Sequence, residues 1–259
     1  MERLYQIGRD YRALADEIRR RIEGEVRFDD GGRGLYATDA SNYRQVPIGV
    51  VIPKTVEDVL ATVELARAYG APILGRGGGT SLAGQCCNTA VVIDMSKHLN
   101  RIVEIDPKAE TATVEPGVIL DDLRGAAERY HLTFGPDPAT HAWCTLGGML
   151  GNNSCGVHAL MAGKTADNTI ELDVVTYDGT RMTVGATGDD ELDKVLREGG
   201  GRARSMRGCG RSSIGMRRWC GRVSRRSRGA CRGTTWTSCC RRRGFMWRGR
   251  LSARSRRAR

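Results

Sequence analysis

Apolar residues recur at helical spacing at the start of the chain. Leu4, Ile7, Tyr11, Leu14 and Ile18 sit among charges between Met1 and Glu23, which predicts an amphipathic helix. The run Gly49-Val50-Val51-Ile52-Pro53 is short and apolar throughout, as in a buried strand. Thr55 with Asp58 has capping-box spacing, and Val56, Val59, Leu60, Val63 and Ala66 form the inward stripe of the helix that follows. Further strands are predicted at Pro72–Leu74, Ala90–Asp94, Ile102–Ile105 and Thr111–Val114, with a helix over Ile119–Tyr130. Ile170–Tyr177 and Arg181–Val184 flank Asp178-Gly179, which predicts a hairpin with a type I′ turn. The order of elements is that of an α+β protein, and residues 1–200 suffice for one large domain with its own core.

Between two of these strands the pattern breaks at Gly75-Arg76-Gly77-Gly78-Gly79-Thr80-Ser81, with Gln85 close behind. Glycine lets the backbone turn where a Cβ would clash and lets peptide N–H groups converge on one concavity. Thr80, Ser81 and Arg76 can add donors, so the segment suits a phosphate or pyrophosphate. A tight turn alone requires fewer glycines and no paired hydroxyls. A dinucleotide fingerprint would need glycine where Thr80 stands. A P-loop ending in Gly163-Lys164-Thr165 would need glycine at His158. Both common nucleotide loops are therefore excluded.

A second unusual stretch runs from Gly135 to Asn168. Pro136 and Pro138 stiffen its start, Thr140 and Thr145 supply hydroxyls, and Gly147-Gly148 leads to Gly151-Asn152-Asn153-Ser154-Cys155-Gly156. It is long and nearly uncharged, unlike a solvated linker, and reads as backbone packed against a flat ligand.

These two segments, together with Tyr36–Val59, resemble the FAD-linked oxidase family of the vanillyl-alcohol-oxidase or PCMH type. The branch most similar joins a flavin 2-hydroxyacid dehydrogenase half to a C-terminal iron–sulfur half, and the resemblance covers roughly residues 30–198. It implies an FAD-binding domain of two α/β subdomains. The first loop would wrap the pyrophosphate through Arg76, Gly77, Gly78, Gly79, Thr80, Ser81 and Gln85. The second would follow the ribityl chain and ring through Pro136, Thr140, Thr145, Gly147, Gly148, Asn152, Ser154, Gly156 and Ile170. Thr80 stands where some relatives carry the histidine that binds flavin covalently, which implies non-covalent FAD. The substrate implied is a 2-hydroxy acid of the D-lactate, glycolate or D-2-hydroxyglutarate class. The implied electron acceptor is a quinone, a cytochrome or an iron–sulfur relay. The family's catalytic groups and iron–sulfur ligands come from segments C-terminal to the matched residues, so no catalytic residue is assigned.

Composition changes abruptly after Gly200. Residues 201–259 hold 20 arginines and no acidic residue, so the formal net charge of +11 divides into +20 for this tail and −9 for the rest. Five of the nine cysteines and three of the four tryptophans also lie there. A basic tail that binds nucleic acid normally mixes lysine with arginine and lacks scattered Cys and Trp. A GC-rich gene read out of frame produces this mixture. Permitted codons for Trp247–Ser255, shifted one base, read Val-Ala-Arg-Ala-Leu-Val-Gly-Thr-Glu, which resembles a segment the family carries downstream. Gly199-Gly200-Gly201 marks the expected slip. The organisation expected is an N-terminal helix (1–28), an FAD-binding domain (29–200) and a disordered, out-of-frame tail (201–259).

His141 with Cys144, and Cys155 with His158, have spacings that zinc could use, but both lie inside the second loop and no metal is expected. Cys86 and Cys87 read as small buried side chains, because a disulfide between neighbours is strained. Asp39, His98, Asp137 and Asp167 read as caps, turns or surface groups. Neither a signal peptide nor a membrane span is apparent, which suggests a cytoplasmic protein, with peripheral attachment to the inner membrane in the full-length family. Two other classes compete: a flavin-binding remnant without turnover, and an arginine-tail nucleic-acid binder.

Overall fold

The structure is a computed structural model that describes residues 11–207, 244–252, 254 and 255. Leu4 and Ile7 lie outside the described residues. The chain divides into two compact units, Met1–Asn100 and Arg101–Arg259.

The first unit is built on a four-stranded sheet. Its strands are β1 (Glu25–Arg27), β2 (Gly49–Ile52), β3 (Ile73–Arg76) and β4 (Val91–Asp94), in the order β1-β2-β4-β3. The last three are parallel, and β1 joins β2 antiparallel at the edge. Every residue of β2 and β4 is buried, as expected for parallel strands covered on both faces. Helices α1 (Arg12–Arg21) and α3 (Val56–Ala68) supply Leu14, Ile18, Leu65 and Ala66 to a core shared with Val51, Ala71 and Val91. The N-terminal helix is thus part of this core and not a separate appendage. Val50, Ile52 and Val92 form a second cluster.

The predicted capping box is present at the start of α3, and Asp58 does more than cap. Its buried carboxylate accepts from the N–H groups of Thr55, Lys54 and Glu23, tying the chain after α1 to the start of α3. A short helix, α2 (Asp30–Leu35), forms despite three glycines because Asp29 accepts from the Gly32 N–H at 2.8 Å.

The second unit holds a five-stranded antiparallel sheet. Its strands are β5 (Ile102–Asp106), β6 (Thr111–Val114), β8 (Thr169–Thr176), β9 (Arg181–Gly185) and β10 (Gly244–Ser252), in the order β5-β6-β10-β8-β9. Helix α4 (Leu120–Glu128) and a short helix α5 (Leu146–Asn152) bring Leu120, Leu123, Leu146 and Met149 to a core with Val114, Phe134 and Leu251. A one-turn helix α6 (Ala159–Ala162), a 3₁₀ turn (Thr165–Asn168) and α7 (Asp189–Glu198) complete the unit, with β7 (Leu132–Thr133) paired to β11 (Arg254–Ser255).

One expectation differs from the structure. The β8–β9 turn is not type I′. Gly179 has a positive φ of 83°, but Asp178 does not, and the Gly179 N–H donates to Thr176 O at 2.9 Å. That geometry is a type I turn followed by a left-handed glycine, which satisfies the strand twist with one glycine. Parts of the tail are among the described residues. Residues 201–207 are helical, and Ala203 and Met206 pack against Val195. The segment Gly244–Ser252 runs between β6 and β8, with Leu251 1% exposed. Beyond these residues and Arg254–Ser255, the tail lies outside the described residues.

Candidate functional site

The first loop leaves β3 at Arg76. From Gly77 through Leu82, no backbone N–H donates to a protein acceptor among the described residues. Gly79 takes a left-handed φ of 65°, and Gly84 one of 75°. Six consecutive uncommitted donors with two hydroxyl side chains form a surface that suits a multiply charged oxyanion. The pyrophosphate of FAD fits that chemistry.

What holds this loop open is the segment from Tyr36 to Tyr43. Arg76, expected to add donors to this cradle, has a guanidinium that braces the protein. Its Nη1 donates to the carbonyls of Tyr36 and Cys86, and its Nη2 to that of Thr38 at 2.8 Å. The cation also lies 5.2 Å from the Tyr36 ring centroid. A Cβ on Gly79 would come within 2.8 Å of Nη2, so glycine leaves room for the brace. Ala40 N–H donates to Gly79 O, and Cys86 N–H donates to the Asp39 carboxylate. Burial raises the affinity of Asp39 for a proton, but hydrogen bonds from Ser41 and Cys86 outweigh it and hold the carboxyl below its ordinary range. The Tyr36 hydroxyl donates to Asp94 at 2.6 Å, at the end of β4. Ser81 Oγ lies 3.1 Å from Cys86 Sγ, and Gln85 folds back to accept from Ala83 N–H.

The second loop belongs to the other unit and is pinned at several points. Thr145 caps α5 by accepting from Gly148 N–H at 3.3 Å. Gly147 N–H donates to Pro116 O at 2.8 Å, and a Cβ on Gly147 would lie 2.8 Å from the Pro116 side chain. Asn153 ends α5 in the left-handed region at φ 52°, a conformation asparagine tolerates better than most residues. Its Oδ1 accepts from Ala166 N–H, and Ser154 O accepts from both Thr165 N–H and Thr165 Oγ1. At Gly156 the approach is extreme, since a Cβ would fall 1.6 Å from Asp137 O. Backbone therefore packs directly on backbone at two of the glycines expected to contact a ligand. Pro136 is buried, and its carbonyl accepts from Arg124 at 3.0 Å. Thr140, Asn152 and Ile170 are at least partly exposed on the same unit, Ile170 at 42%.

The two histidines with zinc-like spacing both pair with carboxylates. His141 Nδ1 lies 2.7 Å from Asp121, and His158 Nδ1 lies 2.8 Å from Asp137. Among the described residues no cluster of three or more His, Cys, Asp or Glu side chains could hold a metal ion. No helix among them is long and apolar enough to cross a membrane. Cys87 is buried as expected, Cys86 only partly, and burial pushes the Cys87 thiol up.

Arg124 was not singled out by the sequence, Asp39 was read there only as a cap, turn or surface group, and Asn153 only as part of the second loop. Only Asn153 carried a usable sign, an asparagine at the end of an apolar step.

The comparisons with known proteins agree with this geometry. A family described as FAD binding domain matches residues 47–185. Glycolate oxidase subunit GlcD of Bacillus subtilis is 36% identical over 168 residues, covering 63% of this chain and 36% of that protein. D-2-hydroxyglutarate dehydrogenase of Escherichia coli is 38% identical over 159 residues, covering 60% of this chain and 16% of that protein. The chain thus spans little more than a third of these relatives at most. Among solved structures, alkyldihydroxyacetonephosphate synthase aligns with a TM-score of 0.66 at 19% identity, over 95% of this chain and 41% of that one. Physcomitrella patens BBE-like 1 aligns with a TM-score of 0.66, also at 19% identity, over 93% and 44%. These two likenesses concern the fold alone. The sequence match spans both loops and more than half of the chain, and the chain belongs to the FAD-binding-domain family.

Proposed function

We propose that this chain is the FAD-holding part of an oxidoreductase that converts a 2-hydroxy acid into the 2-oxo acid. The observation that carries the reading is the run of uncommitted N–H donors from Gly77 to Leu82. Their donors, with the hydroxyls of Thr80 and Ser81, would hold the pyrophosphate. Arg76 contributes by keeping the loop open, and not by touching the phosphates. Thr145, Gly147, Gly148, Asn152, Ser154 and Gly156, with Pro136, Thr140 and Ile170, would line the ribityl chain and ring. When bound, FAD supplies an acceptor for the hydride that leaves the carbon bearing the hydroxyl. The residues described here bind and orient the cofactor and keep water from it. Two curated relatives named for glycolate and D-2-hydroxyglutarate support the substrate class. The electron acceptor would be a quinone, a cytochrome or an iron–sulfur relay carried by other parts of a full-length protein.

With Thr80 in the first loop, the flavin is held without a covalent bond. The purified chain should therefore bind FAD and release it into the supernatant on acid precipitation. Yellow colour remaining on the pellet would contradict non-covalent binding, and failure to bind FAD at all would overturn the reading.

A further inference from the structure

The second loop is long, rich in glycine and poor in charge, yet one charged network ties it down. Arg124 lies on α4, outside the loop. Its Nη2 lies 3.0 Å from Pro136 O, 3.4 Å from Phe134 O and 3.1 Å from Asp137 Oδ1. Its Nη1 lies 3.8 Å from Asp121, on the same helix. Asp121 in turn meets His141, and Asp137 meets His158. Residues 134–137 thus meet the guanidinium directly, while the stretches at 141 and 156–158 are linked to it through Asp121 and Asp137. The carboxylate of Asp137 is the joint. Its side chain reaches His158 while its backbone abuts Gly156, where a Cβ would be 1.6 Å from Asp137 O. Burial raises the proton affinity of Asp137, and hydrogen bonds from Arg124 and His158 more than reverse that, so the group stays ionised below the usual carboxylate range.

From this geometry we propose that Arg124 is a positioning residue for the cofactor loop. It acts through Asp137 to set the Gly156–His158 backbone in the conformation that receives the flavin. The planar fork explains why arginine stands here. One group can serve two carbonyls and a carboxylate at fixed angles, which an ammonium cannot. Gly147 and Gly156 give the loop its close packing, but its several glycines leave it many alternative conformations. The network selects one of them from outside the site, so no charge is placed against the ring. This role rests on the flavin reading of the loop.

The test compares the 259-residue chain with its R124Q, R124K and H158A variants. The readouts are the FAD dissociation constant, the shape of the bound flavin absorption band, and hydrogen exchange resolved by segment. R124Q removes charge-assisted bonds and should weaken FAD binding by about tenfold or more. Exchange should quicken in residues 134–141 and 153–168, with the Gly77–Leu82 loop and β6 unchanged. R124K should recover part of the affinity. H158A truncates a solvent-facing side chain, so it should fold even if R124Q does not, and should weaken binding by about two- to fivefold. Equal FAD affinity in the parent and in H158A, with R124Q equal or unfolded, would overturn the proposal. So would quickened exchange spread evenly through the core of the second unit. Failure of the parent chain to bind FAD would instead overturn the flavin reading itself.

Discussion

Single residues decide most of the candidate site, and two glycines in the second loop show how differently the same residue type can matter. A Cβ at Gly151 meets nothing within 4 Å, whereas one at Gly156 would fall 1.6 Å from Asp137 O. Gly151→Ala lies inside α5 and should stabilise the protein by up to about 1 kcal/mol, because alanine is the better helix former. Gly156→Ala should destabilise it by about 1–3 kcal/mol and abolish FAD binding, since one loop backbone must move off the other. Thermal melts with FAD titrations would measure both, and similar behaviour of the two variants would contradict the packing described. The glycines were legible in the sequence as close-approach residues. Which of them make the approach was not, because that depends on Asp137 and Pro116 arriving from elsewhere. Arg76 illustrates the same limit. An arginine beside a phosphate loop suggests an ion contact, but its nearest acceptors are carbonyls of Tyr36, Thr38 and Cys86 brought by another segment.

At the level of elements, those with strong local signals were readable. Thr55 and Asp58 placed the start of α3, and apolar runs placed β2, β4 and β6. Helices α2 and α5 were not readable, since glycine is a poor helix former and these helices depend on caps at Asp29 and Thr145. The turn between β8 and β9 carries a pH consequence. Asp178 accepts from the Thr176 hydroxyl and the Thr180 N–H, and these bonds outweigh burial to bring its pKa to about 2. A depressed carboxylate contributes stability that is present above its unfolded pKa and lost as pH falls through its folded value. Asp178→Asn should therefore lower the melting temperature at neutral pH, with the difference from the parent shrinking between about pH 4 and pH 2. A difference independent of pH would refute the assignment. Strand β10 offers a sharper test. Leu251 is buried in a cluster with Val114, Leu120, Phe134 and Leu146. Leu251→Ala should cost about 2–5 kcal/mol in chemical denaturation. No change would mean that the arginine-rich segment has no place in the core, as the composition alone suggested.

For the whole molecule, the question is what a cofactor-holding portion can do by itself. Groups that orient a substrate carboxylate and take the hydroxyl proton are as important to rate as the flavin, and none was assignable in the sequence. The 259-residue chain should accordingly reduce no dye with D-lactate, glycolate or D-2-hydroxyglutarate, even when loaded with FAD. Robust turnover would show that this chain contains the missing groups. The charge asymmetry between an acidic body and a basic tail invites binding to polyanions, and any such binding should weaken steeply with added salt. Retention of nucleic acid at high salt would favour a specific partner over this bulk effect.

The position of β10 also bears on how the protein comes to be folded. Thr111 pairs with Ser252, so the middle of the second sheet is joined by residues 141 positions apart. The first unit needs no such reach, since its parallel strands all lie within residues 49–94. A chain emerging from the ribosome can therefore settle its first unit early. The facing edges of β6 and β8 stay unpaired until β10 has been made. Long-range closure of this kind slows folding far more than it weakens the final state. During that interval the two bare edges are templates for pairing with other chains. Recovery of native protein should consequently fall with concentration during refolding, and a chaperone that shields the edges of β6 and β8 before β10 pairs should raise yield without altering the melting temperature.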